Sequence, residues 1–433
     1  MMARKKIIIL GAGLAGLSTA WHLQRKKIDC LVLEKELEVG GLCRSKKVNG
    51  FTFDYDGHLL HFKHRYAFDL VKELLGDNLA EHKRSAWIYS YGRFTRYPFQ
   101  ANLYGLPSKI VKECLSGFVE ARNSGLVRKN GNFLYLIKCA FGEGIARHFM
   151  IPYNTKFWNI PPQKITCDWL EGFIPQPTLT QIIEGTIEES KRQFGYNANF
   201  WYPKKGGIEQ LVLAFKDQIS NIQTGCKIKA VDIKTRKVIL ANGTSEAFDY
   251  LVSTVPLPEF PNMIKGMPAH IQEAFKKLRW NSIFNLNLGV EQSFPSQRHW
   301  VYFPQKDLSF FRVGFFHNFS GGNTPRGRSS LYAEVSYSEH KPIDKKKICG
   351  RIKEDLKKVG LLSGKDSILA ADINDIKYGY PIYDKNYARA KKKIFDFLSK
   401  NQVIPCGRYG SWRYMSMEDV ILEGREIAQK FVC

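Results

Sequence analysis

The sequence has no C-x-x-C pair, no long apolar run and no long basic tract. Its nine cysteines are scattered, so the ligand spacing of a structural zinc site is missing. A membrane-spanning helix needs about 18 or more consecutive apolar residues, and no such stretch occurs. The first apolar stretch, Ile7–Leu10, is too short for the hydrophobic core of a signal peptide. We therefore expect reduced cysteines, no transmembrane span and a cytoplasmic location.

Acidic residues are few relative to basic ones. The 433 residues include 65 Lys+Arg and 41 Asp+Glu, a net charge of +24. This excess of positive charge has two interpretations: the protein binds an anionic partner, or its surface is basic and simply solvated. Both stay open, because the basic runs are short and far apart. No recognisable nucleic-acid-binding module is present, so we expect no nucleic-acid partner. The composition, with 44% hydrophobic residues, is that of a globular protein and excludes a disordered, collagenous or rod-like chain.

A dinucleotide-binding fingerprint occupies the first 35 residues. The apolar stretch Ile7–Leu10 predicts a buried strand, and the G-x-G-x-x-G pattern of residues 11–16 follows it directly. A helical apolar pattern then leads to a second predicted strand, Cys30–Leu33, which ends at Glu34. Such a β-α-β unit binds a pyrophosphate at the helix N-terminus, and its final acid accepts hydrogen bonds from ribose hydroxyls.

The three glycines of the fingerprint have separate roles. Gly11 permits the tight turn, Gly13 lets the backbone approach a pyrophosphate, and Gly16 lets the helix pack on the strand.

The segments that follow indicate which dinucleotide is bound. The glycine pair in residues 39–45, followed by Arg44 and Ser45, resembles the FAD-binding pattern of the amine oxidase and protoporphyrinogen oxidase superfamily. Residues 226–231 and 248–256 resemble strands of that superfamily that pass beside FAD. Residues 403–410 and a predicted helix over 417–430, with Ser416 as its N-cap, resemble the element that points a helix N-terminus at the flavin. FAD is the expected cofactor.

Further segments, in order along nearly the whole chain, resemble UDP-galactopyranose mutase, particularly its eukaryotic-type members. They are residues 54–58, 97–102, 152–158, 300–304, 310–312, 378–381 and 407–414. This resemblance implies a mutase (isomerase) of a nucleotide-activated sugar, in which N5 of reduced FAD is the nucleophile and no net redox change occurs. It also implies a nucleotide sugar and a reductant such as NAD(P)H as small-molecule partners. No G-x-S-x-G, His-x-x-x-His or Cys-His nucleophile motif is present, which agrees with a cofactor-borne nucleophile.

The resemblance also assigns roles to residues. Arg312, Arg408 and His58 are the expected catalytic residues: Arg312 grips the diphosphate, and the other two lie near the flavin. The expected substrate-binding residues are Gln100, Asn197, Trp300, Arg312, Tyr378 and Tyr414. The expected cofactor-binding residues are Gly11, Gly13, Leu14, Ala15, Gly16, Glu34, Lys35, Gly41, Leu42, Arg44, Ser45, His58, Val231, Arg408, Glu418, Asp419 and Val420. No metal site is expected.

Three departures from the mutase pattern bear on the substrate. Asp56 stands where a glycine is usual, and Met417-Glu418-Asp419 replaces an Asn-Gln-Asp. A second diphosphate arginine aligns with Phe173; its loss costs ~1.5–3 kcal/mol of binding if nothing replaces the charged hydrogen bond. Two alternatives therefore stay open: an FAD-dependent oxidoreductase of the amine oxidase or protoporphyrinogen oxidase type, and a flavin-bearing binding or membrane-associated protein without turnover.

The predicted fold is α/β, with a discontinuous Rossmann-like FAD-binding domain, a helical insert and an antiparallel-sheet substrate domain. The expected boundaries are 1–85, 203–265 and 401–433 for the FAD domain, 100–200 for the insert, and 86–99 with 266–400 for the sheet domain. Apolar periodicity predicts helices over 110–121, 133–149 and 384–400, and alternation predicts strands within 287–337.

Overall fold

The structure is a computed structural model that describes residues 5–124, 131–170, 174–190, 192–195, 198–294, 296–363 and 367–431. Its strands are Ile7–Leu10 (β1), Cys30–Leu33 (β2), Ser45–Val48 (β3), Phe51–Asp54 (β4), Leu79–Lys83 (β5), Ala86–Ser90 (β6), Arg93–Arg96 (β7), Asn199–Pro203 (β8), Ile222–Gln223 (β9), Ile228–Asp232 (β10), Lys237–Leu240 (β11), Ser245–Ala247 (β12), Tyr250–Ser253 (β13), Ile264–Lys265 (β14), Trp280–Val290 (β15), Trp300–Tyr302 (β16), Arg312–Gly314 (β17), Ser329–Tyr337 (β18), Ile368–Pro381 (β19) and Val403–Pro405 (β20). Its α-helices are Leu14–Arg25 (α1), Arg65–Leu75 (α2), Ser108–Asn123 (α3), Phe133–Ile145 (α4), Ile151–Trp158 (α5), Leu179–Ile187 (α6), Glu209–Lys216 (α7), Ala269–Phe275 (α8), Ile348–Lys358 (α9), Tyr387–Lys400 (α10), Gly407–Gly410 (α11) and Met417–Gln429 (α12).

A five-stranded parallel sheet, in the order β20-β13-β1-β2-β9, carries the dinucleotide fingerprint. β1 is buried throughout, which explains why it is apolar at every position rather than at alternate ones. The strands come from three separate parts of the chain, as predicted for a discontinuous Rossmann-like unit. α12 packs on α1, where the Ser18 hydroxyl donates to the carbonyl of Ile421 at 3.0 Å.

A seven-stranded, mostly antiparallel sheet, in the order β19-β15-β18-β17-β16-β6-β7, forms the second large layer. Strand β15, which lies between β19 and β18, is buried along almost its whole length. Two of its buried amides reach out of the sheet: Asn285 donates to the carbonyl of Tyr55 at 2.7 Å and Asn287 to that of Asp54 at 3.0 Å. These bonds fix the end of β4, and with it the loop of residues 55–58, against the sheet. The predicted α/β class with an antiparallel sheet is confirmed.

The helical region confirms two predicted helices with one difference. The pattern over 133–149 predicts a single helix, but α4 is kinked at Gly142, where φ is +74° and ψ 171°, and a π-helical turn, Ala146–Met150, follows. The cause is close packing on α3, since a Cβ atom on Gly142 would lie 2.0 Å from the carbonyl oxygen of Gly117. Across the described ranges, no helix is both long and apolar enough to cross a bilayer.

The ends of the last helices follow local capping. α10 begins at Tyr387 rather than at 384, because the Asp384 carboxylate accepts the backbone N–H groups of Asn386 and Tyr387 at 2.9 and 3.1 Å. The Ser416 hydroxyl accepts from the backbone N–H of Asp419, and the Asp419 carboxylate accepts in return, so the predicted N-cap of α12 is confirmed. The division into three domains stays a prediction.

Candidate active site

The fingerprint glycines adopt the geometry that their roles require. Gly11 has φ +97°, in the region that favours glycine. A Cβ atom on Gly16 would lie 1.9 Å from the carbonyl oxygen of Gly11, so only glycine lets α1 approach β1 this closely. The Glu34 carboxylate accepts the backbone N–H groups of Ala12 at 2.7 Å and Glu36 at 3.0 Å. These bonds fix the acid beside the turn and leave further lone pairs on its oxygens for ribose hydroxyls.

A cradle made of backbone lies at the start of α1. Gly13 is the N-cap and has no side-chain capping bond, so the first N–H groups of the helix keep their donors for a ligand. Gly13 forms a bridge to Gly40, and a Cβ atom on Gly41 would lie 3.3 Å from the Cα atom of Gly13. A narrow, side-chain-free cleft at the positive end of a helix fits the diphosphate of FAD. Leu14 and Ala15 are buried in the first turn above it.

Other residues expected to hold the cofactor have partners within the protein. Arg44 donates through Nε to the carbonyl of Gly41 at 3.0 Å, and the Ser45 hydroxyl donates to Asp54 at 2.6 Å. Both contacts hold the strand that follows the glycine pair. Lys35 is exposed and pairs with Glu36 at 3.4 Å. Leu42, Val231 and Val420 are buried or partly buried apolar residues at their expected places on the chain.

Glu418 is engaged within the protein. Its carboxylate is 2% exposed and accepts the backbone N–H groups of Lys63 and His64 at 2.7–3.0 Å. Asp419 is occupied in the capping box of α12. The acidic side chains at the start of α12 therefore hold the N-terminus of the helix in place. They leave the positive end of the helix dipole, rather than a carboxylate, to interact with a ligand.

A cavity of about 300 Å³ opens between α12, α5 and the antiparallel sheet. Among the residues predicted from the sequence, His58, Gln100, Trp300, Arg312, Arg408 and Tyr414 line it. Asn197 and Phe173 lie outside the described residues. Each of the seven segments that resemble the mutase family therefore contributes at least one residue to this cavity.

Aromatic side chains that the sequence analysis did not single out form much of the cavity wall. They are Tyr97, Phe149, Tyr153, Phe157, Trp158, Trp169, Tyr302, Tyr332 and Tyr380. Several of them belong to segments 97–102 and 152–158. The resemblance therefore indicated that these segments border the site, but it assigned no role to these side chains. Burial raises the pKa of both Tyr302 and Tyr380, so the two phenols stay protonated and act as hydrogen-bond donors. A third guanidinium group, that of buried Arg84, lies 5.0 Å from the Tyr97 ring.

The structure does not bring Tyr378 to the cavity. Between Asn281 and Ile283, β15 advances two residues while its partner β19 advances four, so the bulge turns Tyr378 away from the face of Tyr380. The Tyr378 ring packs 5.1 Å from that of Trp280, and its hydroxyl donates to Glu259 at 2.6 Å. Tyr380, two residues on, stacks 5.8 Å from Tyr414 and lines the cavity instead. A regular strand would have placed both tyrosines on one face.

This difference predicts opposite effects for two matched substitutions. Tyr380→Phe removes a cavity hydroxyl and should raise KM about three- to tenfold, since a net hydrogen bond contributes ~1 kcal/mol. Tyr378→Phe should leave kcat and KM unchanged and lower the free energy of unfolding by about 1 kcal/mol, because half-buried Glu259 loses one of its donors and keeps Lys377. Steady-state kinetics and urea unfolding of both variants measure this. A kinetic effect confined to Tyr378→Phe would contradict it.

Arg312 is held by a buried carboxylate. Arg312 on β17 and Glu334 on β18 are direct cross-strand partners, and the guanidinium binds the carboxylate through both Nε and Nη2, the latter at 2.6 Å. Burial acts to lower the pKa of Arg312, but the charge and hydrogen bonds of Glu334, together with the neighbouring Tyr332 and Tyr380, raise that pKa overall. The guanidinium is therefore charged and fixed in plane, with its remaining N–H donors available to a ligand.

Arg408 and His58 both line the cavity. Arg408 donates through Nε and Nη2 to the carbonyl of Met415 at 2.9 and 2.5 Å, and its guanidinium lies 5.1 Å from the Tyr414 ring. His58 Nδ1 lies 3.1 Å from the carbonyl oxygen of Asp56. Because a carbonyl only accepts, Nδ1 carries the proton and Nε2 is the acceptor. Burial lowers the pKa of His58, Asp56 opposes this, and Arg408 and Arg312 lower it further, so the ring is neutral at pH 7.

Comparison with known proteins places this geometry among flavoenzymes. Residues 14–430 match the family described as flavin containing amine oxidoreductase. The crystal structure of reduced UDP-galactopyranose mutase is similar to the whole fold, with a TM-score of 0.93 and 29% identity over 98% of this chain and 95% of that chain.

Two curated relatives are more distant or match only in part. A stretch of 55 residues, 13% of this chain, is 46% identical to an uncharacterized protein in the nifH2 3′ region of Methanothermococcus thermolithotrophicus. A longer stretch, 69% of this chain, is 23% identical to 4,4′-diapolycopene oxygenase of Methylomonas sp. The chain spans 53% and 65% of the length of these two relatives.

Proposed function

The chain belongs to the family of flavin-containing amine oxidoreductases, and we propose that it is an FAD-dependent mutase acting on a nucleotide-activated sugar of the UDP-galactopyranose/UDP-galactofuranose type. The observation that carries this proposal is the similarity to reduced UDP-galactopyranose mutase, which extends over 98% of this chain. The aromatic cavity with its two guanidinium groups supports it, because it offers donors to phosphate and flat surfaces to sugar and base.

The cofactor is proposed to lie along the fingerprint. The N–H groups at the start of α1 and the Gly13–Gly41 cleft bind its diphosphate, and Glu34 binds its adenosine ribose. When bound and reduced, FAD supplies the nucleophile, so the chain needs none of its own. Arg408 and the N-terminus of α12 place positive potential beside the ring system, which favours negative charge on the reduced form.

The substrate is proposed to lie across the cavity. Arg312 donates its free N–H groups to the diphosphate, and the protonated phenols of Tyr302 and Tyr380 add donors beside it. Tyr414 borders the same space. Gln100 and Asn197 are proposed to face the nucleoside, and Trp300 the sugar. Arg84, behind Tyr97, adds positive potential and partly replaces the second diphosphate arginine whose place Phe173 takes.

His58 is proposed to hold and move a proton at the reacting centre. Ring opening and reclosure of a sugar require a hydroxyl proton to leave one oxygen and return. The neutral imidazole, with its proton on Nδ1, leaves Nε2 free to accept that proton. The carbonyl of Asp56 fixes this tautomer.

A second candidate function is an FAD-dependent oxidoreductase. The alignment with 4,4′-diapolycopene oxygenase favours it, as does the missing second arginine. The aromatic walls of the cavity also suit a neutral substrate.

The number of acceptor molecules consumed per product separates the two candidate functions. Once reduced, a mutase performs many turnovers without oxygen or another acceptor, whereas an oxidoreductase consumes one acceptor per product. We expect the anaerobically reduced protein to convert a nucleotide sugar for many turnovers from a single reduction. Product chromatography of the anaerobic sample, and an oxygen electrode on a parallel aerobic sample, measure this. One acceptor consumed per product would establish the oxidoreductase.

A further inference from the structure

Helix α5 carries a lysine that faces away from the cavity. Tyr153, Asn154, Phe157 and Trp158 of this helix line the cavity, whereas Lys156 lies outside the lining. At 3.6 residues per turn, position 156 is on the far side of the helix from these four residues. The partly buried Lys156 side chain therefore contacts the protein and not a ligand in the cavity.

The amino group of this lysine binds two backbone carbonyl groups. Nζ donates to the carbonyl of Gln305 at 2.7 Å and to that of Phe303 at 3.2 Å. Both acceptors lie in residues 303–311, the segment that joins β16 to β17. Within this segment, the Phe303 N–H donates to the carbonyl of Phe311 at 2.9 Å. The Gln305 amide donates to the carbonyl of Tyr89 at 2.7 Å, so the segment that receives the lysine is fixed to the sheet.

The contact does not require one protonation state. Burial lowers the pKa of Lys156 to about 7, Asp355 and Asp307 oppose this, and Lys341 lowers it further. The ammonium and amine forms are therefore both populated near neutrality. The ammonium form has three N–H donors and the amine form has two, so either form can bond both carbonyl groups.

Two walls of the cavity meet at this contact. Residues 303–311 are flanked by Tyr302 and Arg312, which are direct cross-strand partners and line the cavity. The ring of Tyr153 on α5 lies 5.3 Å from that of Tyr302. A shift of α5 away from the segment would separate its aromatic residues from the Arg312 guanidinium, and one ligand would then no longer contact both.

We propose that Lys156 is a positioning residue that holds α5, and the aromatic wall that α5 forms, at a fixed distance from Arg312. The Asn281 amide donates to the carbonyl of Phe157 at 2.7 Å and anchors the same end of the helix to β15. The two Lys156 bonds anchor it to the β16–β17 hairpin, the element that carries Arg312. The inference rests on the proposed function for the identity of the ligand.

Loss of the contact is expected to weaken ligand binding without removing the flavin. A protein whose binding-competent conformation is only partly populated binds its ligand more weakly by that fraction. Each hydrogen bond shifts such an equilibrium by about two- to tenfold. The dissociation constant should therefore rise about three- to tenfold when both bonds are removed. Flavin content should stay unchanged, because the proposed FAD contacts lie on the fingerprint.

Two substitutions at position 156 and one control test the role. Lys156→Met keeps the length of the side chain and removes the donors, whereas Lys156→Arg keeps donors. Lys112→Met removes an exposed lysine of α3 and is the matched control. Titration of the FAD-loaded proteins with UDP-galactose gives the dissociation constant, and hydrogen exchange without ligand gives the protection of the α5 amides.

We expect Lys156→Met to raise the dissociation constant about three- to tenfold and to lower the protection of α5 by a similar factor. Lys156→Arg should restore both quantities, and Lys112→Met should change neither. Lys156→Gln, which is neutral and shorter by one bond, replaces Lys156→Met if that variant does not fold, with the same expected direction.

The outcomes are distinguishable. Unchanged protection of α5 in Lys156→Met would show that the lysine does not hold the helix and would overturn the inference. Lower protection with unchanged affinity would make the lysine a structural residue only and would also overturn the positioning role, while the proposed function stands. If UDP-galactose does not bind the unmodified FAD-loaded protein, the proposed function fails, and the positioning role, which needs this ligand, fails with it.

Discussion

Replacing Arg312 with alanine is expected to lower kcat/KM for a nucleotide sugar by about ten- to a hundredfold or more while FAD stays bound. A charged hydrogen bond to a diphosphate contributes ~1.5–3 kcal/mol, and in the proposed binding mode Arg312 donates it from a position that Glu334 fixes. Binding of FAD depends on the fingerprint, which Arg312 does not contact. Steady-state kinetics with the nucleotide sugar and the flavin absorbance of the same sample measure both effects.

Removal of Arg312 also leaves Glu334 buried without a cation. Breaking one side of a buried ion pair costs about 3–5 kcal/mol of stability, so the alanine variant needs a companion. Arg312→Met/Glu334→Gln removes both charges and should fold with the same loss of ligand binding. Arg65→Ala, which breaks an exposed pair with Asp69, is the matched control and should change neither quantity. Unchanged affinity for the nucleotide sugar in the double variant would contradict the role of Arg312.

Replacing Gly13 with valine is expected to yield a folded protein without flavin. Gly13 has φ −74° and ψ 178°, which any residue adopts, and the nearest atom to an added Cβ would be 3.8 Å away. The protein itself therefore tolerates the side chain. The space that the side chain would occupy is the cleft facing Gly41, where the proposed diphosphate of FAD lies. The ratio of flavin to protein should fall to near zero, with an unchanged circular dichroism spectrum.

Two other glycines provide the comparison. Gly16→Val should unfold the FAD-binding sheet, because its Cβ would lie 1.9 Å from the carbonyl oxygen of Gly11. Gly350→Ala, in an open position on α9, should leave both flavin content and fold unchanged. A yellow Gly13→Val protein would show that the cofactor does not use this cleft.

Local sequence signals predicted the backbone geometry of the dinucleotide fingerprint well. The glycine pattern, the two flanking strands and the N-cap of α12 each depend on a few consecutive residues, so their geometry follows from chain chemistry alone. The kink at Gly142 does not follow from the local sequence, because its cause is the contact with Gly117 on another helix.

The substrate side depends on pairings between distant segments. Tyr378 and Tyr380 are equivalent in the sequence pattern, and only the bulge between β15 and β19 separates them. The partner of Arg312 was not foreseen, since Glu334 is 22 residues away and meets it only through strand register. The N–H groups of Lys63 and His64 hold the Glu418 carboxylate, a contact that the sequence pattern does not indicate, and the predicted contact of Glu418 with the cofactor stays a prediction.

The measurement that tests the central claim most directly is a turnover assay with UDP-galactofuranose. The yellow protein is reduced anaerobically with dithionite, mixed with the nucleotide sugar, and the products are separated by chromatography. The mutase proposal predicts conversion to UDP-galactopyranose by the reduced protein and none by the same protein with oxidised flavin. No conversion by a fully reduced, folded protein that retains FAD would contradict it and leave the FAD-dependent oxidoreductase as the account of this site.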